Sequence, residues 1–127
     1  MALIVTMCCF ASIGIAAEQQ KLPAGFIALS DSEMNWADAK AWCRQQGGIL
    51  PRFNYSDSLE NVPAGAVIDG FGKLGASWPA GLPKGIFWTG TVLSDLPDYT
   101  YAVTDFGGGL VTNGFRQSVT RRVVCVP

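Results

Sequence analysis

The segment MNWADAKAWCRQQGGIL, residues 34–50, marks both ends of a helix and carries a cysteine on its apolar stripe. A matching cysteine comes only at the far end of the chain, in RRVVCVP. Together these features imply a chain that folds back so that its last strand lies on its first helix. Asn35 is placed to cap the first turn, and Asp38, three positions on, to return a carboxylate in a capping-box arrangement. Met34 and Ala39 occupy the hydrophobic-staple positions. Trp36, Ala39 and Cys43 recur at i, i+3 and i+7, one apolar stripe at helical spacing, while Lys40, Arg44 and Gln45 fall largely outside it. Gly47 and Gly48 supply the left-handed conformation that ends a helix, and Pro51 prevents its restart. The expected helix runs from Trp36 to Gln46, about three turns.

A chain of 127 residues supports one core, not two. Its net charge is −1 and it has no histidine, so it lacks the basic footprint that nucleic acid or an anionic membrane selects. Neither is expected as a partner. Residues 1–17 carry no charged side chain and end in small residues before Glu18, the pattern of a secretory signal peptide. Cleavage after Ala16 places Gly14 at the minus-three position, which fits the small-residue rule better than cleavage after Ala17. A basic n-region is missing, and a short membrane anchor is the rival reading, at the lower limit of spanning length. On the signal-peptide reading residues 18–127 form a single secreted or surface-displayed domain, not inserted in the membrane, and Cys8 and Cys9 leave with the leader. Cys43 and Cys125 then remain in an oxidising compartment and are expected to pair. Two buried free thiols are the alternative.

Along the chain, GFIALS reads as an opening strand that pairs with the C-terminal strand. In the Gly- and Pro-rich stretch 52–85, Val67, Phe71, Leu74 and Trp78 keep helical spacing, but Gly70, Gly72 and Gly75 oppose a helix by about 1 kcal/mol each. At most a short helix within a long packed loop is expected there. FWTGTV, residues 87–92, reads as a strand in a central position, ended by a turn at Asp95-Leu96-Pro97-Asp98. Residues 99–104 form the next strand, with Tyr99, Tyr101 and Val103 on one face, and Phe106-Gly107-Gly108-Gly109 turns the chain into residues 110–112. Asn113-Gly114 is expected to turn again, with residues 115–119 loop or short strand. In the last strand Val123 and Cys125 face one way and Val124 and Val126 the other, as in a strand covered on both sides. The plan is α+β, one main helix packed on a mixed or antiparallel sheet with long loops and adjacent termini.

WADAKAWCRQQGGIL, then FWTGT, then the closing VVCV resemble, in that order, the C-type-lectin-like fold, in the compact form found at the receptor-binding tip of bacterial intimin and invasin adhesins. The likeness covers residues 25–127. It implies the Cys43–Cys125 disulfide and a recognition role in cell adhesion. The sugar-binding, calcium-dependent members carry a Glu-Pro-Asn or Gln-Pro-Asp triplet followed by Trp-Asn-Asp, and this chain has neither. Asp95, Asp98 and Asp105 have no spacing that forces a cage of six to eight oxygens. No metal and no cofactor are expected. A second departure is context, because intimin-like tips end long multi-domain surface proteins.

Catalysis has little to draw on. Without histidine there is no Ser-His or Cys-His dyad, and Asp95 and Asp98 flank Pro97 in an expected turn, where exposed carboxylates are common. Neither glycine-rich segment is followed by the Lys-Ser/Thr of a phosphate loop. The chain is therefore read as non-enzymatic, a calcium-independent adhesin-like module for a host or cell-surface protein or glycan. The candidate ligand-binding residues are Asp95, Asp98, Tyr99, Asp105, Asn113, Phe115, Arg116 and Gln117. Hypervariable receptor-binding proteins diversified by retroelements use the same fold and are a related reading. The alternative class is a structural subunit of an exported assembly such as a pilus, toxin or phage-type fibre, favoured by exposed apolar surface around Phe71, Trp78 and Phe115.

Overall fold

The computed structural model describes residues 22–127, so the leader assigned to residues 1–17 lies outside the described residues. Helix α1, Trp36–Gln45, begins where the local chemistry places it: the Asn35 side chain accepts a hydrogen bond from the Asp38 N–H at 2.9 Å. The reciprocal bond from the Asn35 N–H to the Asp38 carboxylate does not form among the described residues, since aspartate is one methylene shorter than the glutamate that closes such a box. At the other end the Gly48 N–H donates to the Cys43 carbonyl at 2.9 Å and the Gly47 N–H to the Arg44 carbonyl at 3.1 Å. That double closure is a Schellman motif, and Gly47 adopts the φ of +84° that it requires. Ala39 and Cys43 are fully buried.

The strands are β1 (Ala28–Leu29), β2 (Val67–Ile68), β3 (Gly72–Lys73), β4 (Ile86–Leu93), β5 (Leu96–Phe106), β6 (Gly109–Arg116) and β7 (Val124–Cys125). β4, β5 and β6 form an antiparallel sheet in that order, and β1 pairs antiparallel with β7. β5 is therefore the central strand and β4 lies to one side, a correction to the central place expected for FWTGTV. The outer edge of β4 is nevertheless covered, because Trp88 N–H donates to the Arg122 carbonyl and Arg122 N–H to the Ile86 carbonyl. Two turn expectations also change. Asn113 and Gly114 lie inside β6, opposite Ala102 and Tyr101, where cross-strand pairing overrides the local turn preference. Leu96, Pro97 and Asp98 belong to β5, so the turn after β4 narrows to Ser94–Asp95.

The last residues of the chain are held from three directions. Ile27 and Ser30 donate to Cys125 and Val123, Ile49 exchanges hydrogen bonds with Val126, and Arg122 exchanges with β4. Val123 and Cys125 join the core under α1 with Ala39, Leu50, Trp88 and Ala102. Val124 and Val126 join the opposite core with Phe26, Ile68, Phe71, Phe87, Tyr101 and Val103. The alternation read from RRVVCVP is thus realised, with all four residues buried. Cys43 and Cys125 are joined across 82 positions. Closing a loop of that length removes roughly 4–5 kcal/mol of unfolded-chain entropy in the loop-closure model.

The second core is roofed by the stretch between α1 and β4. No helix forms over Val67–Trp78, because Gly70, Gly72 and Gly75 take φ of +75°, +96° and +86°, outside the right-handed helical region. The segment instead makes the small hairpin β2–β3, and a single 3₁₀ turn, Leu59–Asn61, is its helical content. Its Phe71 and Trp78 form a chain of edge-on and tilted aromatic contacts with Phe26 and Phe87: Phe26 to Phe71 at 5.0 Å, Phe71 to Trp78 at 5.3 Å, and Trp78 to Phe87 at 5.8 Å between ring centroids. The buried Trp78 indole donates to the Leu82 carbonyl at 2.9 Å, so its polar edge is satisfied within the loop.

Gly48 passes so close to the last strand that a Cβ there would lie 2.4 Å from the Val126 carbonyl oxygen and 2.5 Å from the Ile27 side chain. Gly48→Ala is accordingly expected to cost about 2–3 kcal/mol. Urea unfolding of the oxidised protein measures it; an unchanged midpoint would mean that the helix exit is not wedged against the C-terminal strand.

Candidate functional site

The β5–β6 ladder places Tyr99 opposite Arg116 on one face of the sheet and Thr100 opposite Phe115 on the other, both at the end where β5 begins. Gln117 organises this end. Its backbone N–H donates to the Asp98 carbonyl at 3.0 Å and its carbonyl accepts from the Trp36 N–H at 3.1 Å. Its side-chain amide donates to the Pro97 carbonyl at 3.0 Å and to the Thr100 hydroxyl at 3.1 Å. Both amide hydrogens are therefore spent within the chain, and Gln117 positions the surface by fixing the start of β5, the end of β6 and the first residue of α1 together.

On this brace stand two cation–aromatic pairs. The Arg116 guanidinium lies 5.4 Å from the Tyr99 ring centroid and that of Arg121 lies 3.9 Å from the Phe115 ring. Phe115 is fixed from below, edge-on to the buried Trp88 at 6.5 Å, and the Trp88 indole donates to the Met34 carbonyl at 2.8 Å. Tyr99 and Phe115 are half-buried, while Arg116 and Asp98 are exposed. Sequence reasoning left Arg121 out of the candidates, since a basic residue near a strand end carries no local sign that it will cover an aromatic ring.

The remaining candidates are not brought to this point. Asp105 lies seven residues from Asp98 along β5, roughly 23 Å at strand rise, where its carboxylate meets Lys84 at 3.5 Å. Asn113 is exposed partway along β6. Asp95 sits in the β4–β5 turn, which is tied to the loop at Ser56 by the Ser94 N–H at 3.2 Å. There it shares a negative neighbourhood with Asp57 around Tyr55 and Tyr101. Tyr55 and Asp57 were also absent from the sequence candidates, because the loop that carries them approaches the turn only through long-range packing.

Among the described residues no group of three or more His, Cys, Asp or Glu side chains is arranged to hold a metal ion. No described helix is long and apolar enough to cross a membrane. Comparison of the chain with protein-family models, with curated proteins and with solved structures finds no match in any of the three.

Tyr101 links this end of the sheet to the core. It is fully buried, and its hydroxyl donates to the Asp57 carbonyl at 2.5 Å. Burial, with further help from negative charge on Tyr55, Asp95 and Asp57, pushes its phenol up to about 12. The folded state thus favours the neutral phenol. The stability this contributes is complete below the unfolded value of about 10 and disappears as the pH rises from there through about 12. Titration followed by phenolate absorbance is expected to show a late step with a midpoint near pH 12, missing in Tyr101→Phe. A midpoint near 10 would show an accessible hydroxyl.

Proposed function

We propose that this chain is an exported recognition module of C-type-lectin-like architecture that engages a cell-surface protein or glycan without calcium. The observation that carries the proposal is the brace at Gln117, beside which the Tyr99–Arg116 pair lies on one face of the sheet end and the Phe115–Arg121 pair on the other. Tyrosine and arginine held in defined rotamers lose little further entropy on binding, and they are over-represented among residues that dominate binding energy. The disulfide between helix and last strand supports an exported setting. The absence of histidine from the sequence supports binding over acid–base or nucleophilic chemistry. The departure from the calcium-site triplets supports a metal-independent mode.

A subunit of a larger exported assembly is the second reading. Phe71 and Trp78 are buried at 5% and 9% exposure, so the apolar patch that would have favoured it does not form around them. Phe106 does favour it, being 78% exposed at the β5–β6 turn. A concentration-independent monomer in light scattering contradicts this second reading.

The binding role is tested with the oxidised chain screened against immobilised glycans and intact cells, with calcium and again with a chelator. Binding is expected to survive chelation. Tyr99→Ala and Arg116→Ala are each expected to weaken it about tenfold or more, Arg116→Ala with its unfolding midpoint little changed because that side chain is exposed, and Tyr99→Ala with a lowered midpoint because its ring is half-buried against the core. Undiminished binding by both variants would place the contact elsewhere.

A further inference from the structure

At the opposite end of α1 the surface folds into a shallow groove of about 260 Å³. It is lined by Lys40, Arg44 and Arg52 together with Gly48, Ile49, Leu50 and Gly90. The charge is one-sided, with three cations and no carboxylate among the lining residues. The distribution is local, because the chain as a whole carries a net charge of −1. Arg52 is already neutralised, its Nε meeting the Asp69 carboxylate at 3.0 Å. The Lys40 ammonium rests over the Trp36 ring at 3.7 Å, a contact that orients it but adds no negative charge. Arg44 forms no ion pair among the described residues, whose pairs are Arg52–Asp69 and Lys84–Asp105. Lys40 and Arg44 stand four residues apart on one helix face, a like-charge spacing that works against the helix and that an anion held between them would relieve. The C-terminal carbonyls of α1, which would repel such an anion, are partly occupied by the N–H groups of Gly47 and Gly48.

The backbone around the groove narrows the class of occupant. Ile49 exchanges both of its hydrogen bonds with Val126, and the Gly90 N–H is spent on the Pro51 carbonyl at 2.8 Å. A peptide laid here would find no strand edge at these residues to extend. What the groove offers is positive charge and the aliphatic side chain of Ile49, which is 42% exposed. Its volume lies below the range of pockets that take drug-sized ligands, which suits one ring and not an extended chain. We propose that this groove binds a single acidic sugar residue, a pyranose ring bearing a carboxylate or a sulfate, with the anionic group between Lys40 and Arg44 and the ring's C–H face on Ile49. The site is separate from the Tyr99–Arg116 surface and does not depend on that surface being used.

The test is amide-shift mapping by NMR on the unmodified oxidised chain with four probes: methyl glucuronide, galactose 6-sulfate, methyl galactoside and inorganic sulfate. The two acidic sugars distinguish carboxylate from sulfate as the preferred anion. Saturable shifts at Arg44, Gly48, Ile49 and Gly90 with either one, weakened by salt and absent with methyl galactoside, are expected. Lys40→Gln and Arg44→Gln are each expected to weaken binding about fivefold to tenfold, their folding checked by unfolding midpoint. Inorganic sulfate giving the same shifts at the same affinity as galactose 6-sulfate would mean an adventitious ion only and would overturn the sugar assignment. Equal binding of the neutral sugar, silence of both acidic sugars, or shifts confined to Tyr99 and Arg116 would overturn the site itself. In the last case the hairpin-end reading would stand while this one fell.

Discussion

The fold depends on the burial of its last strand. Residues 123–126 are apolar on both faces, and a strand of that kind is stable only with a layer above, a layer below and a partner for each backbone edge. The chain supplies each of these from a different region. Helix α1 covers one face and the aromatic chain of Phe26, Phe71, Trp78 and Phe87 covers the other. The opening strand and Ile49 provide hydrogen-bond partners along the segment, and β4 pairs with Arg122 just before it. The disulfide then joins this strand to the buried face of the helix, so the covalent link lies within the core under α1. Two buried hydroxyls nearby are satisfied: Ser30 accepts from the Val123 N–H, and the Thr89 hydroxyl donates to the Tyr101 carbonyl.

From that arrangement the exposed regions acquire their rigidity. Trp36 and Trp88 both direct their indole N–H across the helix–sheet boundary, to Thr89 and Met34 respectively, which fixes the N-terminal end of the helix against β4. The N-terminal end of α1 is thereby set beside Gln117 and the cation–aromatic pairs, and its C-terminal end beside the basic groove. The two surfaces are the two ends of one helix, and both are held by packing that belongs to the core. A scaffold of this kind suits recognition, in which side chains ordered in advance lower the entropic cost of binding.

Much of this was legible in the sequence, and the reason differs from element to element. Asn35, Gly47 and Gly48 act through hydrogen bonds a few residues long, so the ends of α1 could be read locally. The period of two in Val123–Val126 and in Tyr99, Tyr101 and Val103 survives into the structure because each of those strands is packed on both faces. In the middle of the chain the glycines outweighed the helical spacing, as expected, and Phe71, Leu74 and Trp78 gather through glycines in left-handed conformations. Strand order was not legible at all: whether β4 or β5 is central depends on which strand turns back, and Asn113-Gly114 carries a turn signal that its pairing with β5 overrides. At the candidate site the grouping of Tyr99 with Arg116 required the β5–β6 register. The bracing role of Gln117 was hidden because its partners Pro97 and Thr100 lie 20 and 17 positions away.

Native-state hydrogen exchange is the most direct test of the dependence on the last strand. The account predicts that the amides of Val123 and Val126, and those of Ile27, Ser30 and Ile49 that donate to the same segment, exchange only through global unfolding, at the same free energy as the central residues of β5. Exchange of the C-terminal amides at markedly lower free energy, with β5 still protected, would contradict it and show the last strand to be an addition to a core that stands without it.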